Sequence, residues 1–177
     1  MPSPTRSRRR TVVRMVAIPL AVGALAVTSV SAGIRLAPDD PTKWHQDPLT
    51  AQAPDSPNWY RLLPADTSVQ TVPERDAAAP VFDVPVASLE SGFDEVATGD
   101  GRVKVLQGSA GEGFVTYVQR STLMGYPDYV SVRFIKVDEA SSTLALLSRS
   151  RYGSSDLGVN QKRVQRWIDA TQGRLGE

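Results

Sequence analysis

The stretch 148–163, Ser-Arg-Ser-Arg-Tyr-Gly-Ser-Ser-Asp-Leu-Gly-Val-Asn-Gln-Lys-Arg, concentrates the least ordinary chemistry of the chain. Side chains alternate along a strand, so Arg149 and Arg151 would project from one face about 6.5–7 Å apart, with Ser148 and Ser150 on the other. Gly153 permits a positive φ where the strand ends, and Ser155, Asp156 or Asn160 can accept hydrogen bonds from free amides at a helix start. Lys162, Arg163 and Arg166 place further positive charge on the first turns of that helix. Guanidinium forks and open helix amides both favour carboxylate or phosphate oxygens. The candidate ligand-binding residues are therefore Arg149, Arg151, Ser155, Asp156, Asn160 and Arg163, and the expected ligand is an anionic small molecule or a lipid headgroup. Two other readings stand beside this one. Asp156 can cap the helix and pair with Arg149, Arg151 or Arg163, fixing the turn without any ligand. Alternatively, Asp156 acts as a general acid or base with Ser150 or Ser155 nearby, which requires a cleft and a raised pKa.

Other chemistry is thin. With no Cys in 177 residues, disulfides, a catalytic thiol and thiolate metal sites are excluded. The one histidine, His45, stands beside Trp44 with no second ligand near it in sequence, and reads as a packing or surface residue. Glu90, Asp94 and Glu95 read as a solvated helix face, and Gly108–Gly113 as a hairpin turn without the lysine of a phosphate loop. Ser148 and Ser150 have no histidine partner in their own domain. No catalytic residue, metal or cofactor is assigned.

The elements that must hold the 148–163 stretch are legible from patterning. Val86, Leu89, Phe93 and Val96 form an amphipathic stripe after Pro85, and Gly99-Asp100-Gly101 stops it. Strand-like runs follow at 102–107, 113–122, 128–137 and 142–151, separated by short turns. Val130, Val132 and Phe134 alternate with Ser131 and Arg133, as in a sheet packed on one side. A closing helix at 160–171 shows Val164, Trp167, Ile168 and Thr171 on one face. These demands predict a two-layer α+β fold, an antiparallel sheet of about four strands with helices on one face, preceded by one N-terminal transmembrane helix.

That last element comes from the leader. Arg6, Arg8, Arg9, Arg10 and Arg14 precede Met15–Ala32, a run without charge. As a helix it would rise about 27 Å, close to bilayer thickness. Arginine excess stays cytoplasmic, which predicts a basic leader at 1–14, a membrane anchor at 15–36 and a periplasmic remainder. A cleaved signal ending at Ala32 is the alternative. The rest of the chain carries 15 bases against 19 acids, so no nucleic-acid footprint appears.

Nine of the 13 prolines fall in residues 33–85, which reads as an extended spacer and places a domain boundary near 80–85. The pairs Trp44-His45 and Trp59-Tyr60 are unusual in a solvated linker, so part of it is expected to dock.

The motif Ser-Arg-Ser-Arg-x-Gly-x-Ser-Asp-Leu-Gly-x-Asn-x-x-Arg-Val at 148–164 resembles the C-terminal signature of the DUF1499 family. The stretches Tyr126–Phe134 and Ser56-Pro57-Asn58 resemble its central strand and its N-terminal element. Residues 34–45 look like the segment that follows the membrane helix in anchored bacterial members. Family members often carry Cys after that Asn, whereas Trp59 stands here. The resemblance moves the domain start to 55, making 55–85 an extended arm anchored by Trp59 and Tyr60 and leaving 37–54 as a Pro-rich tether. It implies an envelope protein without an assigned reaction. The expected function is a membrane-anchored, non-catalytic module binding an anionic small molecule, a lipid headgroup or another envelope protein. An envelope enzyme using Asp156 and a structural assembly factor are the alternatives.

Overall fold

The expected meander turns an apolar face toward two helices and a mixed face away from them. On the mixed face Tyr129, Ala145 and Leu147 alternate with the helix-side residues and lie beside Thr116, Ser131 and Arg149. The computed structural model describes residues 27–155 and 157–176. The elements from Pro38 onward are α1 (Pro41–Trp44), β1 (Trp59–Leu63), β2 (Asp76–Ala78), α2 (Val86–Gly99), β3 (Val103–Ser109), β4 (Phe114–Arg120), β5 (Pro127–Lys136), β6 (Ser142–Ser150) and α3 (Val159–Leu175). They form one sheet in the order β2-β1-β6-β5-β4-β3.

The expected four-stranded antiparallel sheet is corrected on two points. There are six strands, and the sheet is mixed, because β1 pairs antiparallel with β6 but parallel with β2. The two additional strands come from the proline-rich arm. Trp59–Leu63 is a five-residue run between Pro57 and Pro64, short enough to escape a composition argument but apolar enough to bury Trp59, Leu62 and Leu63. The expected transmembrane helix at 15–36 is corrected as well. Its residues up to 26 lie outside the described residues, residues 27–36 are helical, and among the described residues no helix is long and apolar enough to cross a membrane.

The helical residues 27–36 belong, with Thr122–Gly125, to a separate unit. Within it, Arg35 Nη2 donates to the carbonyls of Thr122 and Leu123 at 2.9 and 3.2 Å, and Ser31 Oγ donates to that of Met124 at 3.2 Å.

The second unit holds the sheet. On its first face Leu89, Phe93 and Ala97 of α2 and Val164, Trp167 and Ile168 of α3 pack against Tyr117, Val130, Val132, Phe134, Leu144 and Leu146. Phe93 meets Phe134 and Trp167 edge-on, at centroid separations of 5.7 and 6.0 Å. Gly92 lets the helices close up, since a Cβ there would lie 2.9 Å from Leu175 Cδ2. Trp167 Nε1 donates to Asp100 Oδ2 at 2.8 Å, which satisfies the buried indole at the stop signal after α2.

The second face is covered by residues 38–51, within the stretch expected to be a tether. Asp40 caps α1, accepting from the amide of Thr42, and Pro41 starts it. Trp44 then stacks on Tyr129 with centroids 4.1 Å apart and planes 11° apart. His45 stacks on Phe114, Asp39 accepts from Tyr129 Oη and Arg120 at 2.6 Å, and Asp47 accepts from Arg133 Nε and Nη2. This strap is held by side chains rather than by a backbone ladder. Because Trp44 is buried and stacked, Trp44→Ala is expected to cost about 3–5 kcal/mol, read as a lower urea midpoint at unchanged slope.

Candidate functional site

The alternation that puts Arg149 and Arg151 on one face of β6 puts Ser148 and Ser150 on the other, and the structure separates the candidate residues accordingly. On the helix side, Asn160 in the first turn of α3 is fully buried. Its Nδ2 donates to the Asn58 carbonyl at 3.1 Å and to Ser150 Oγ at 3.0 Å. Its Oδ1 accepts from Ser148 Oγ at 2.6 Å and from Arg163 Nη1 at 2.9 Å. Both amide protons and both lone pairs are thereby used. Arg163 continues the network: Nη1 also donates to Ser148 Oγ, Nε to Gln119 Oε1 at 2.6 Å, and Nη2 to the Asp128 carboxylate. The arm, β4, β5, β6 and α3 are joined at this point.

Arg149 lies on the opposite face under the strap. Its Nη1 donates to Gln46 Oε1 at 2.7 Å, and its Nη2 to the carbonyls of Trp44 and Lys43 at 2.8 and 3.3 Å. The guanidinium carbon lies 5.0 Å from the centre of the Trp44 ring. Arg149 makes no salt bridge with a described residue, and burial pushes its pKa down to about 10, which leaves it charged at neutral pH. Arg151 shares that side at the end of the strand. It is partly exposed, donates to the Pro38 carbonyl at 2.9 Å and lies 5.3 Å from the Tyr152 ring centre.

Two left-handed residues, Leu157 at φ 51° and Gly158 at φ 75°, lead the chain from the loop into α3. For Leu157 this conformation costs about 1–2 kcal/mol. Gly158, not Ser155 or Asn160, stands at the N-cap position of the helix. Ser155 Oγ instead accepts from the Leu157 amide at 3.3 Å. Asp156 lies outside the described residues. The loop is held from the arm, where Asn58 Nδ2 donates to the carbonyls of Tyr152 and Gly153, and its carbonyl accepts from the Ser150 amide.

Sequence distance hid one further constellation. His45 Nδ1 lies 2.8 Å from Thr116 Oγ1, which is 2.9 Å from Ser131 Oγ. A hydroxyl beside an imidazole has the elements of a nucleophile and a base. Both hydroxyls are fully buried, so no substrate reaches them and the contact is structural. Among the described residues no group of three metal-ligating side chains occurs. Of the helix-face carboxylates, Asp94 accepts from Tyr117 Oη at 2.7 Å and Glu95 pairs with Arg174. The 108–113 stretch is a turn in which a Cβ at Gly108 would lie 2.2 Å from the Phe114 carbonyl oxygen. A cleft of about 620 Å³ lies over Arg61, between residues 49–53 and 68–72. That guanidinium is already bound to Asp76 at 2.6 and 3.0 Å and to the carbonyls of Ala51 and Gln70.

A six-stranded mixed sheet, helices on one face and a polar strap on the other, locked at the β6–α3 crossover by a buried Asn–Arg network, defines an α+β domain built from residue 38 onward. The family model for DUF1499, a protein of unknown function, matches residues 38–170, and the chain belongs to that family. No curated protein and no solved structure matches the chain.

Two outcomes follow from the geometry. Asn160→Ala removes partners from Ser148, Ser150, Arg163 and the Asn58 carbonyl at once, and is expected to cost about 3 kcal/mol or more in urea denaturation. Burial, followed by the positive charge of Arg133, holds the His45 imidazole below its ordinary pKa of 6.5, against the pull of Asp47. Below 6.5 the unfolded chain therefore binds the proton first, and stability falls as pH drops toward the lowered folded value. Melting temperatures measured from mildly alkaline to mildly acidic pH should show this decline, and His45→Gln should flatten it.

Proposed function

We propose that the domain is a non-catalytic binding module for an anionic small molecule or a lipid headgroup, with Arg151 as its contact. One observation carries the reading. Arg149 and Arg163 are buried, whereas Arg151 remains partly exposed at the domain surface while bonded to the Pro38 carbonyl and the Tyr129 hydroxyl. A guanidinium in that position offers charged donors to a phosphate or carboxylate at little further desolvation cost. The serines beside it do not support catalysis, since Ser148 is buried and bonded to Asn160 and Ser150 also bonds Asn160. The arginine-rich leader and the uncharged run after it support a location beyond the cytoplasmic membrane, facing the envelope.

The test is a thermal-shift screen of the full chain against inorganic phosphate, glycerophosphate headgroups and cell-wall fragments. A ligand at a hundred times its dissociation constant stabilises by about 2.7 kcal/mol. That stabilisation should vanish in Arg151→Ala; equal stabilisation of variant and wild type would overturn the reading.

A further inference from the structure

We infer that the paired rings of Tyr126 and Tyr152 and the exposed Leu157 rest on an anionic lipid bilayer, with Arg151 meeting the headgroups. The inference depends on the binding role given to Arg151 above and names its partner.

Tyr126 and Tyr152 are 39% and 38% exposed, and their rings contact each other at a centroid separation of 5.6 Å. Tyrosine, with an apolar ring and a polar tip, is the residue type suited to the boundary between hydrocarbon and water. Leu157, in the same loop as Tyr152, is 84% exposed, and Val159 just beyond it is 49% exposed. Leu157 contributes nothing to the core, yet the chain holds it at φ 51° beside a glycine of similar φ. A large apolar side chain kept outside the fold on strained backbone is better explained by a contact beyond the domain than by packing within it.

The charge fits the same partner. Arg151 lies over the Tyr152 ring, so a cation stands next to the apolar elements, the combination that binds anionic lipid surfaces. The chain also enters the domain here, since Arg151 Nη1 holds the carbonyl of Pro38. A bilayer is a partner that accommodates the exposed leucine, the paired tyrosines and the guanidinium together.

The absence of cysteine makes single-site labelling clean. A polarity-sensitive fluorophore is attached to Leu157→Cys or, as a control, to Glu139→Cys, whose side chain is 92% exposed. The full-length protein is then mixed with vesicles of phosphatidylcholine alone or with phosphatidylglycerol. The label at 157 should shift to the blue and be quenched by doxyl-labelled lipid on the anionic vesicles, and less on the neutral ones, while the label at 139 stays in water. Arg151→Ala should reduce the anionic preference several-fold. Leu157→Gly, which suits the backbone, should keep the melting temperature and lower vesicle affinity. A 157 label that reports water on both vesicles, or one that responds no more than 139, overturns the inference. If soluble phosphate then still stabilises wild type and not Arg151→Ala, the earlier reading stands alone.

Discussion

A sheet has two faces, and here the helices cover only one. What lies on the other face decides the rest of the structure, because β6 places a guanidinium there. Arg149 is buried without a salt bridge among the described residues; the Gln46 amide oxygen, two carbonyls of the strap and the face of Trp44 meet its Nη1 and Nη2 end, while its buried Nε has no hydrogen-bond partner among the described residues. A buried cation tolerates loss of its acceptors poorly. The strap is therefore part of the fold, and Trp44, packed between Tyr129 and Arg149, is its wedge. The family match beginning at residue 38 is consistent with this physical boundary.

The opposite face solves a different problem with related chemistry. Where the arm, the last strand and the last helix meet, the backbone changes direction sharply and several polar groups lose contact with water. Asn160 and Arg163 supply partners to these groups. Most of the motif that resembles the family signature is thus architectural. The Arg-x-Arg spacing selects a face, the Ser-x-Ser spacing selects the other, and Asn160 joins α3 to both the strand and the arm. Arg151, two residues further along, lies just past the end of β6 at Ser150, where burial gives way to partial exposure.

Much of this was legible in residue patterning. The meander β3–β6 and the helices α2 and α3 follow from alternation and from apolar stripes, since those patterns report on a single packed face. The strands β1 and β2 were not legible as strands, because proline content reports where a backbone donor is missing and says nothing about a five-residue run between two prolines. That Trp44-His45 docks was legible from its composition, but where it docks was not: His45 and Thr116 are 71 residues apart, and no local pattern encodes their contact. The separation of Arg149 from Arg163 was implicit in alternation, yet the convergence read from their proximity in sequence ignored that a sheet lies between them. Glycine at the α3 N-cap was hidden by the capping residues on either side of it.

The outer border of β3 has its own meaning. Beyond β3 the sheet continues into no further described strand, which leaves a row of backbone groups able to recruit another chain. The pairing of β3 with β4 slips between Val105 and Gln107, and Lys104 is exposed on that strand. A slipped, charged border is a poor template for stacking, so molecules crowded together at high local concentration are kept from zipping into fibrils.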